Sequence, residues 1–143
     1  MFEDLKNKFN IQEKDNRFYV DKNEIHTILK YLKTNENCLF ERLDTLYAND
    51  TGENLEINYI LHSDKYNTKC TITAKLSYED ELNSITDIFK SANYDEREVF
   101  DLFGINFINH PNLKRILLPD SFLGYPLRKN YKMQDERLRW NYE

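Results

Sequence analysis

Two stretches, "LEINYILHS" (55–63) and "TKCTITAKL" (68–76), constrain the fold more than anything else in the chain. In the first, Leu55, Ile57, Tyr59 and Leu61 alternate with mostly polar positions; in the second, Cys70, Ile72, Ala74 and Leu76 do the same. A period of two belongs to a strand with one buried face. Only "DKYN" separates the runs, and strands joined by so short a link pair as antiparallel hairpins. Ahead of them, "CLFERLDTLYA" (38–48) leads into the turn cluster "NDTGEN" and supplies another strand, and "RFYV" (17–20) is a short further candidate.

Helical spacing brackets these strands. Phe2, Leu5 and Phe9 predict a helix over the first ten residues. Asp21 with Glu24 has the form of a capping box, and Ile25, Ile28, Leu29 and Leu32 make one apolar stripe behind it, predicting a helix over 22–34. Ser77 with Asp80 resembles another helix start, and Leu82, Ile85, Ile88, Phe89 and Ala92 recur at amphipathic helical spacing. Asn93 then offers a cap for a shorter helix, with Glu96 at the capping-box position and acids at 95, 96 and 98 near the positive end of its dipole. Gly104 is placed to end that helix in the left-handed conformation.

Beyond Gly104 the pattern changes. Pro111, Pro119 and Pro126, with Gly124, interrupt a segment that still holds Ile105, Phe107, Ile108, Leu113, Ile116, Leu117, Leu118, Phe122, Leu123 and Leu127. Each proline removes a backbone donor and pushes its predecessor towards extended conformations. The expectation is an extended, irregular arm whose apolar residues are buried against something, with no partner of its own past about residue 108 and therefore mobile in the isolated chain. "MQDERLRWNYE" at the end could add a final helical turn. The predicted class is thus α+β: a two-layer body over 1–104, its mixed but mostly antiparallel sheet of about four or five strands packed with helices, and a partner-binding C-terminal arm over 105–143 in the same domain.

Charge follows the same division. Residues 1–103 carry 21 acids against 13 Lys and Arg, whereas residues 104–143 carry 4 acids against 7. An acidic body with a basic arm suggests complementary partners, and the acidic total argues against nucleic acid, which calls for a basic footprint. The length of 143 residues suits a single domain. No run approaches the roughly 20 apolar residues of a membrane span, and "MFEDLKNKFN" has no apolar export region. Cys38 and Cys70 fit two buried free thiols of a cytoplasmic protein better than one disulfide.

The residues offer little catalytic chemistry. His26, His62, His110, Cys38 and Cys70 form no metal-ligand motif, and no glycine-rich loop is present to cradle a phosphate. Glu98 and Asp101 share a helical face, but a solvated helix start with Arg97 and Asp101 paired at i, i+4 explains them better. His110, ahead of Pro111, is placed for a structural hydrogen bond. Arg115, Arg128 and Lys129 could hold an anion or merely solubilise the arm. No catalytic, metal or cofactor residue is assigned.

The same arm carries a resemblance. Glu96-Arg97-Glu98-Val99-Phe100-Asp101-Leu102-Phe103-Gly104-Ile105, then His110-Pro111-Asn112-Leu113-Lys114-Arg115-Ile116-Leu117, then Gly124-Tyr125-Pro126-Leu127-Arg128-Lys129 resemble the pattern of the thirty-kilodalton subunit of respiratory complex I. The module also occurs in related group 4 membrane-bound [NiFe] hydrogenases. The likeness runs loosely upstream to about residue 38; relatives often carry His where Tyr125 stands and an acid where Asn130 stands. It implies a hydrophilic accessory subunit of an NADH:quinone oxidoreductase in an electron-transport chain, with no active site and no cofactor of its own. The implied partners are the iron–sulfur small subunit and the hydrogenase-like large subunit, met at the cytoplasmic face of the cell membrane with the membrane touched only through the complex. The implied interface residues are the motif positions Glu96, Arg97, Glu98, Asp101, Gly104, His110, Pro111, Arg115, Pro126, Arg128 and Lys129. An equivalent hydrogenase subunit is the first alternative. A free-standing binding module, and an enzyme using Glu98 or Asp101 with His110, are more remote ones; the enzyme would need a pocket with a carboxyl of raised pKa.

Overall fold

The computed structural model describes residues 3–9, 11–129 and 131. The expected C-terminal helical turn lies outside them, as do Phe2 and Asn130. In chain order the elements are α1 (Glu3–Lys8), β1 (Gln12–Lys14), β2 (Arg17–Tyr19), α2 (Ile25–Thr34), β3 (Arg42–Asp50), β4 (Leu55–Ser63), β5 (Thr68–Leu76), β6 (Glu81–Asn83), α3 (Ala92–Phe103) and β7 (Asn106–Ile108).

The alternating runs pair as the sequence predicts. β4 and β5 are antiparallel with Leu55 opposite Leu76 and Leu61 opposite Cys70, so the two apolar sets share one face. Leu55, Ile57, Tyr59, Leu61, Ile72, Ala74 and Leu76 are buried there, because one face of the pleat collects every second side chain. β3 pairs antiparallel with β4, with a bulge between Leu43 and Thr45, and begins four residues later than the run at Cys38 suggests. On the other side β2 adds in parallel to β5, and β1, which the sequence did not announce, folds onto β2 as a short antiparallel hairpin. The sheet order is β1-β2-β5-β4-β3, a mixed five-stranded sheet in an α+β fold.

α2 buries Ile25, Ile28, Leu29 and Leu32, the expected stripe. Asp21 does act as a cap, accepting the Asn23 N–H at 2.8 Å, but it caps a 3-10 turn over Lys22–Glu24 that feeds the α-helix. Cys38 and Cys70 are both buried and form no disulfide with each other, and burial beside Cys38 pushes the Cys70 thiol up to about 12.

The helix expected over 82–92 does not form. Glu81–Asn83 is instead a strand, paired in parallel with β7 in a second, two-stranded sheet. Helix continuation would require the amides of Ser84 and Ile85 to bond backward along their own segment. The Ser84 N–H goes instead to the Ile108 carbonyl at 2.8 Å, and the Ile85 N–H to the carboxyl of Glu96 at 2.8 Å. Isolated turns follow, and the segment still buries Leu82, Ile85, Ile88, Phe89 and Ala92. The Ser77–Asp80 pair makes a local turn, Ser77 N–H to Asp80 Oδ2 at 2.7 Å, rather than a helix start.

α3 begins at Ala92 with Ser91 as its cap, so Asn93 lies inside the helix and Glu96 is not a capping-box partner. The helix lies against the outer edge of β3, where the Ser91 hydroxyl donates to Leu43 O at 3.4 Å and Asp95 accepts the Leu46 N–H at 3.4 Å. Gly104 closes it in the left-handed region, φ 76°, with its N–H on Phe100 O at 2.9 Å, as predicted.

Candidate functional site

α3 presents two buried carboxylates that the sequence places on a solvated helix start. Glu96 and Asp101 are both fully buried, and neither pairs with Arg97. Asp101 is instead the socket for the arm. Its Oδ1 accepts from Arg115 Nη1 at 2.8 Å, and its Oδ2 accepts the main-chain N–H groups of Ile116, Leu117 and Leu118 at 3.2, 2.8 and 2.9 Å. Burial alone would raise this carboxyl; the Arg115 guanidinium and the three amides outweigh it and hold it below the usual carboxylate range.

A second anchor lies further along the arm. Arg128 donates through Nε to Phe103 O and through Nη2 to Tyr78 O, the latter at 2.8 Å. The Lys129 N–H donates to Asp50 Oδ2 at 2.7 Å, while Asp50 Oδ1 accepts the Tyr78 hydroxyl at 2.6 Å and the Gly52 N–H at 2.8 Å. Burial opposes the Asp50 charge, but these donors and the nearby Lys129 ammonium keep its pKa lowered. Leu127 N–H on Leu102 O, at 3.0 Å, ties the same stretch to the end of α3.

Between the anchors sits Tyr125. Arg115 lies 5.1 Å from its ring centre and Arg128 5.2 Å, a pair of cation–π contacts on one ring. Phe100 meets the ring edge-on at 6.4 Å, and the Gly104 backbone lies beneath it, so close that a Cβ there would come within 2.6 Å of the ring. Only glycine tolerates both that approach and the positive φ. Arg97 completes the fastening with bonds to Lys114 O at 3.2 Å and Arg115 O at 3.3 Å.

The guanidiniums of Arg115 and Arg128 are therefore committed to a carboxylate and to main-chain carbonyls of this chain, not to an anion site. His110 makes hydrogen bonds within the chain: its Nδ1 accepts the Asn112 N–H at 2.9 Å and its Nε2 lies 3.1 Å from Asn93 O. Glu98, Pro111 and Lys129 are exposed, and Pro126 is half-buried. Asp50, Tyr78 and Ser84 were missed by sequence reasoning, and Tyr125 stood in the motif without a role. Asp50 and Tyr78 lie some fifty residues or more from their arm partners, and no local pattern marks them.

With the anchors closed, the arm turns apolar side chains outward. Leu117, Leu123 and Leu127 are 58%, 67% and 50% exposed, and Ile108 and Tyr94 are exposed nearby in the chain order of the motif. The expectation that the arm lacks a partner inside its own chain therefore fails for residues 113–129. Its two arginines are bonded inside the chain, whereas Leu117, Leu123 and Leu127 are left exposed. Among the described residues no cluster of His, Cys, Asp and Glu could hold a metal, and no helix is long and apolar enough to cross a membrane.

Residues 18–137 match the family model described as "Respiratory-chain NADH dehydrogenase, 30 Kd subunit". The chain is 37% identical over 118 residues to "NADH-ubiquinone oxidoreductase subunit 9" of Reclinomonas americana, covering 80% of this chain and 58% of that one. It is 38% identical over 120 residues to an NADH-quinone oxidoreductase subunit of Trichlorobacter lovleyi, covering 80% and 73%. Against the 30.4 kDa mitochondrial subunit of Candida maltosa it is 32% identical and spans 46% of that protein's length, so it corresponds to about half of some curated relatives. Among solved structures it resembles a chain of the membrane-bound sulfane sulfur reductase, an archaeal respiratory membrane complex. The TM-score is 0.73, with 22% identity over 92% of this chain and 81% of that chain, a likeness of fold.

Proposed function

Because the chain belongs to the 30 Kd subunit family of the respiratory-chain NADH dehydrogenase, we propose that it is a non-catalytic accessory subunit of a membrane-associated electron-transfer complex of the NADH:quinone oxidoreductase type. In this role it holds no cofactor and is peripheral, at the cytoplasmic face of the membrane. Its arm, residues 105–143, docks on the iron–sulfur small subunit and the large subunit of that complex.

One observation carries this reading: an arm whose two arginines are bonded inward while Leu117, Leu123 and Leu127 face solvent. Three large exposed leucines on one segment hydrogen-bonded to the body suit an apolar interface, and the exposed Lys114 and Lys129 belong to the same segment. A pre-formed surface also spends less of its binding energy on ordering than a segment that folds on contact. The motif residues then serve attachment indirectly, by setting the shape of the leucine surface. For that reason a charge reversal at Arg128 and Lys129 would test the anchor and the interface together.

The leucine triple variant L117S/L123S/L127S separates them. Its unfolding free energy should stay within about 0.5 kcal/mol of the parent, because the changed side chains are exposed. A tagged version should no longer recover cluster-bearing subunits from membranes. Full recovery of those subunits by the triple variant would remove the leucine surface as the docking site. Recovery of a large subunit carrying nickel-binding cysteine pairs in place of a quinone-type one would move the chain to a hydrogenase-type assembly.

A further inference from the structure

Away from the arm, a polar cleft of about 460 Å³ opens between the start of α2 and the turn that follows β6. Asn23, His26 and Thr27 line one side, and Ser84, Thr86 and Asp87 line the other, with His26 Nε2 bridging to Asp87 Oδ2 at 2.9 Å on the rim. From Thr86 a line of oxygens runs inward. Thr86 Oγ1 is 2.9 Å from Ser84 Oγ, and Ser84 Oγ is 2.7 Å from Oε2 of the fully buried Glu96. We propose that this cleft is a proton port, in which Thr86 and Ser84 pass a proton between solvent and the carboxyl of Glu96, the chain's buried proton-binding site.

Two hydroxyls in series can run in either direction. With Glu96 ionised, Ser84 donates to the carboxylate while its own oxygen accepts from Thr86, whose main-chain N–H also points at it from 3.2 Å. With Glu96 protonated, Oε2–H donates to Ser84, Ser84 donates to Thr86, and Thr86 donates to water in the cleft. Release of the proton breaks the Oε2–H bond as a new O–H bond forms on Ser84. The original Ser84 hydrogen moves to Thr86, and the original Thr86 hydrogen to water, giving hydronium. Both hydroxyls end neutral, and no electrons change hands.

The surroundings favour a proton on Glu96. β4 contributes the Tyr59 hydroxyl, which is buried with no hydrogen-bond partner among the described residues. α3 contributes Asn93, Asp95 and Arg97, but the arginine is turned to the carbonyls of residues 114 and 115, and further along Asp101 is paired with Arg115. The β6 turn brings Asp87, paired with His26 from α2. The turn after β7 brings His110, 3.9 Å from Oε2. Its Nδ1 accepts a main-chain N–H, so Nε2 carries the hydrogen given to Asn93 O. No lysine or arginine among the described residues is paired with Glu96. Burial therefore pushes its carboxyl up to about 7, against the bonds from Ile85 and Ser84, with Asp87 and Asp95 adding to the rise. Through the Ile85 amide, and through Ser84 N–H on Ile108 O, occupancy of this site is felt where β6, β7 and α3 meet, at the root of the arm.

The site stands independently of the arm's partners and is testable on the free full-length chain. The carboxyl carbon of Glu96, assigned through its own backbone in carbon-labelled protein, should titrate with a midpoint near 7. T86V, which keeps the side-chain shape at a partly exposed position, should leave the midpoint in place. It should slow proton exchange at Glu96 by about tenfold or more, seen as broadening or splitting of that resonance at the midpoint. S84A, removing the inner hydroxyl, should slow it likewise. Titration of Glu96 together with the exposed glutamates would overturn the site. Unchanged exchange in both variants would overturn the relay.

Discussion

Asp101 and Glu96 show how little the identity of a side chain says until its neighbours are known. They lie five positions apart on one helix and are equally buried. Yet Asp101 is held as a carboxylate by Arg115 and three amides, whereas Glu96, with two hydrogen-bond donors and no Lys or Arg partner among the described residues, moves the other way. Breaking a buried ion pair strands the remaining charge, at a typical cost of about 3–5 kcal/mol. D101N should therefore lower stability in urea unfolding at neutral pH by about 3 kcal/mol. The pH dependence has a fixed sign. The folded pKa of Asp101 lies below its ordinary 3.8, so its contribution is complete above that pH and is lost as pH falls through the folded value. The gap between wild type and D101N should narrow below pH 3.8; a gap that persists undiminished in acid would mean the stabilisation is not carried by the charge.

At the scale of elements, what the sequence disclosed divides by the distance to the partner. The β4–β5 hairpin, α2 and the Gly104 cap could be read because alternation, stripe and cap are local signals. The 81–92 segment could not, since the spacing of Leu82, Ile85, Ile88 and Phe89 fits a helix as well as it fits this strand and its turns. The choice is made by Ile108 and Glu96, which take the Ser84 and Ile85 amides from outside the segment. The motif was legible as a set of residues, but its roles were not. Arg115 and Arg128 looked free for an anion or a partner because Asp101 O, Phe103 O and Tyr78 O cannot be seen as acceptors in a linear chain. Gly104 is the element-scale test, because it is both the end of α3 and the floor under Tyr125. In G104A the positive φ alone costs about 1 kcal/mol, and the ring must also move. The variant should lose more than that amount of stability, and Tyr125, followed by its fluorescence or aromatic NMR signals, should leave its place between the two arginines. A ring that stays put would show that the close approach is not what fixes the arm.

For the molecule as a whole, the question is where the folding unit ends. The composition break at Gly104 suggests a cut there, but β7 lies beyond it and Ile105 and Phe107 are buried to 1% and 2% exposure. Removing them strips the pairing of β6 and opens the core beside Leu82. Each buried side chain of this size contributes roughly 1.5–3 kcal/mol, against a typical total of about 5–15 kcal/mol for a domain, so a chain of residues 1–104 should be strongly destabilised. A chain of residues 1–111 keeps β7 and His110, and with them the ring's bond to Asn93 O. It loses both anchors, yet its cost should be smaller than that of D101N, because removing the arm exposes Asp101 to water instead of leaving it buried with a stranded partner. The expected order of unfolding midpoints is therefore full chain, then 1–111, then 1–104, with a cooperative transition surviving in the first two. Equal midpoints for the two truncated chains would place the end of the folding unit at Gly104 and make β7 part of the arm. A 1–111 chain that fails to fold would mean that the arm, besides presenting the leucines, is needed to complete the core.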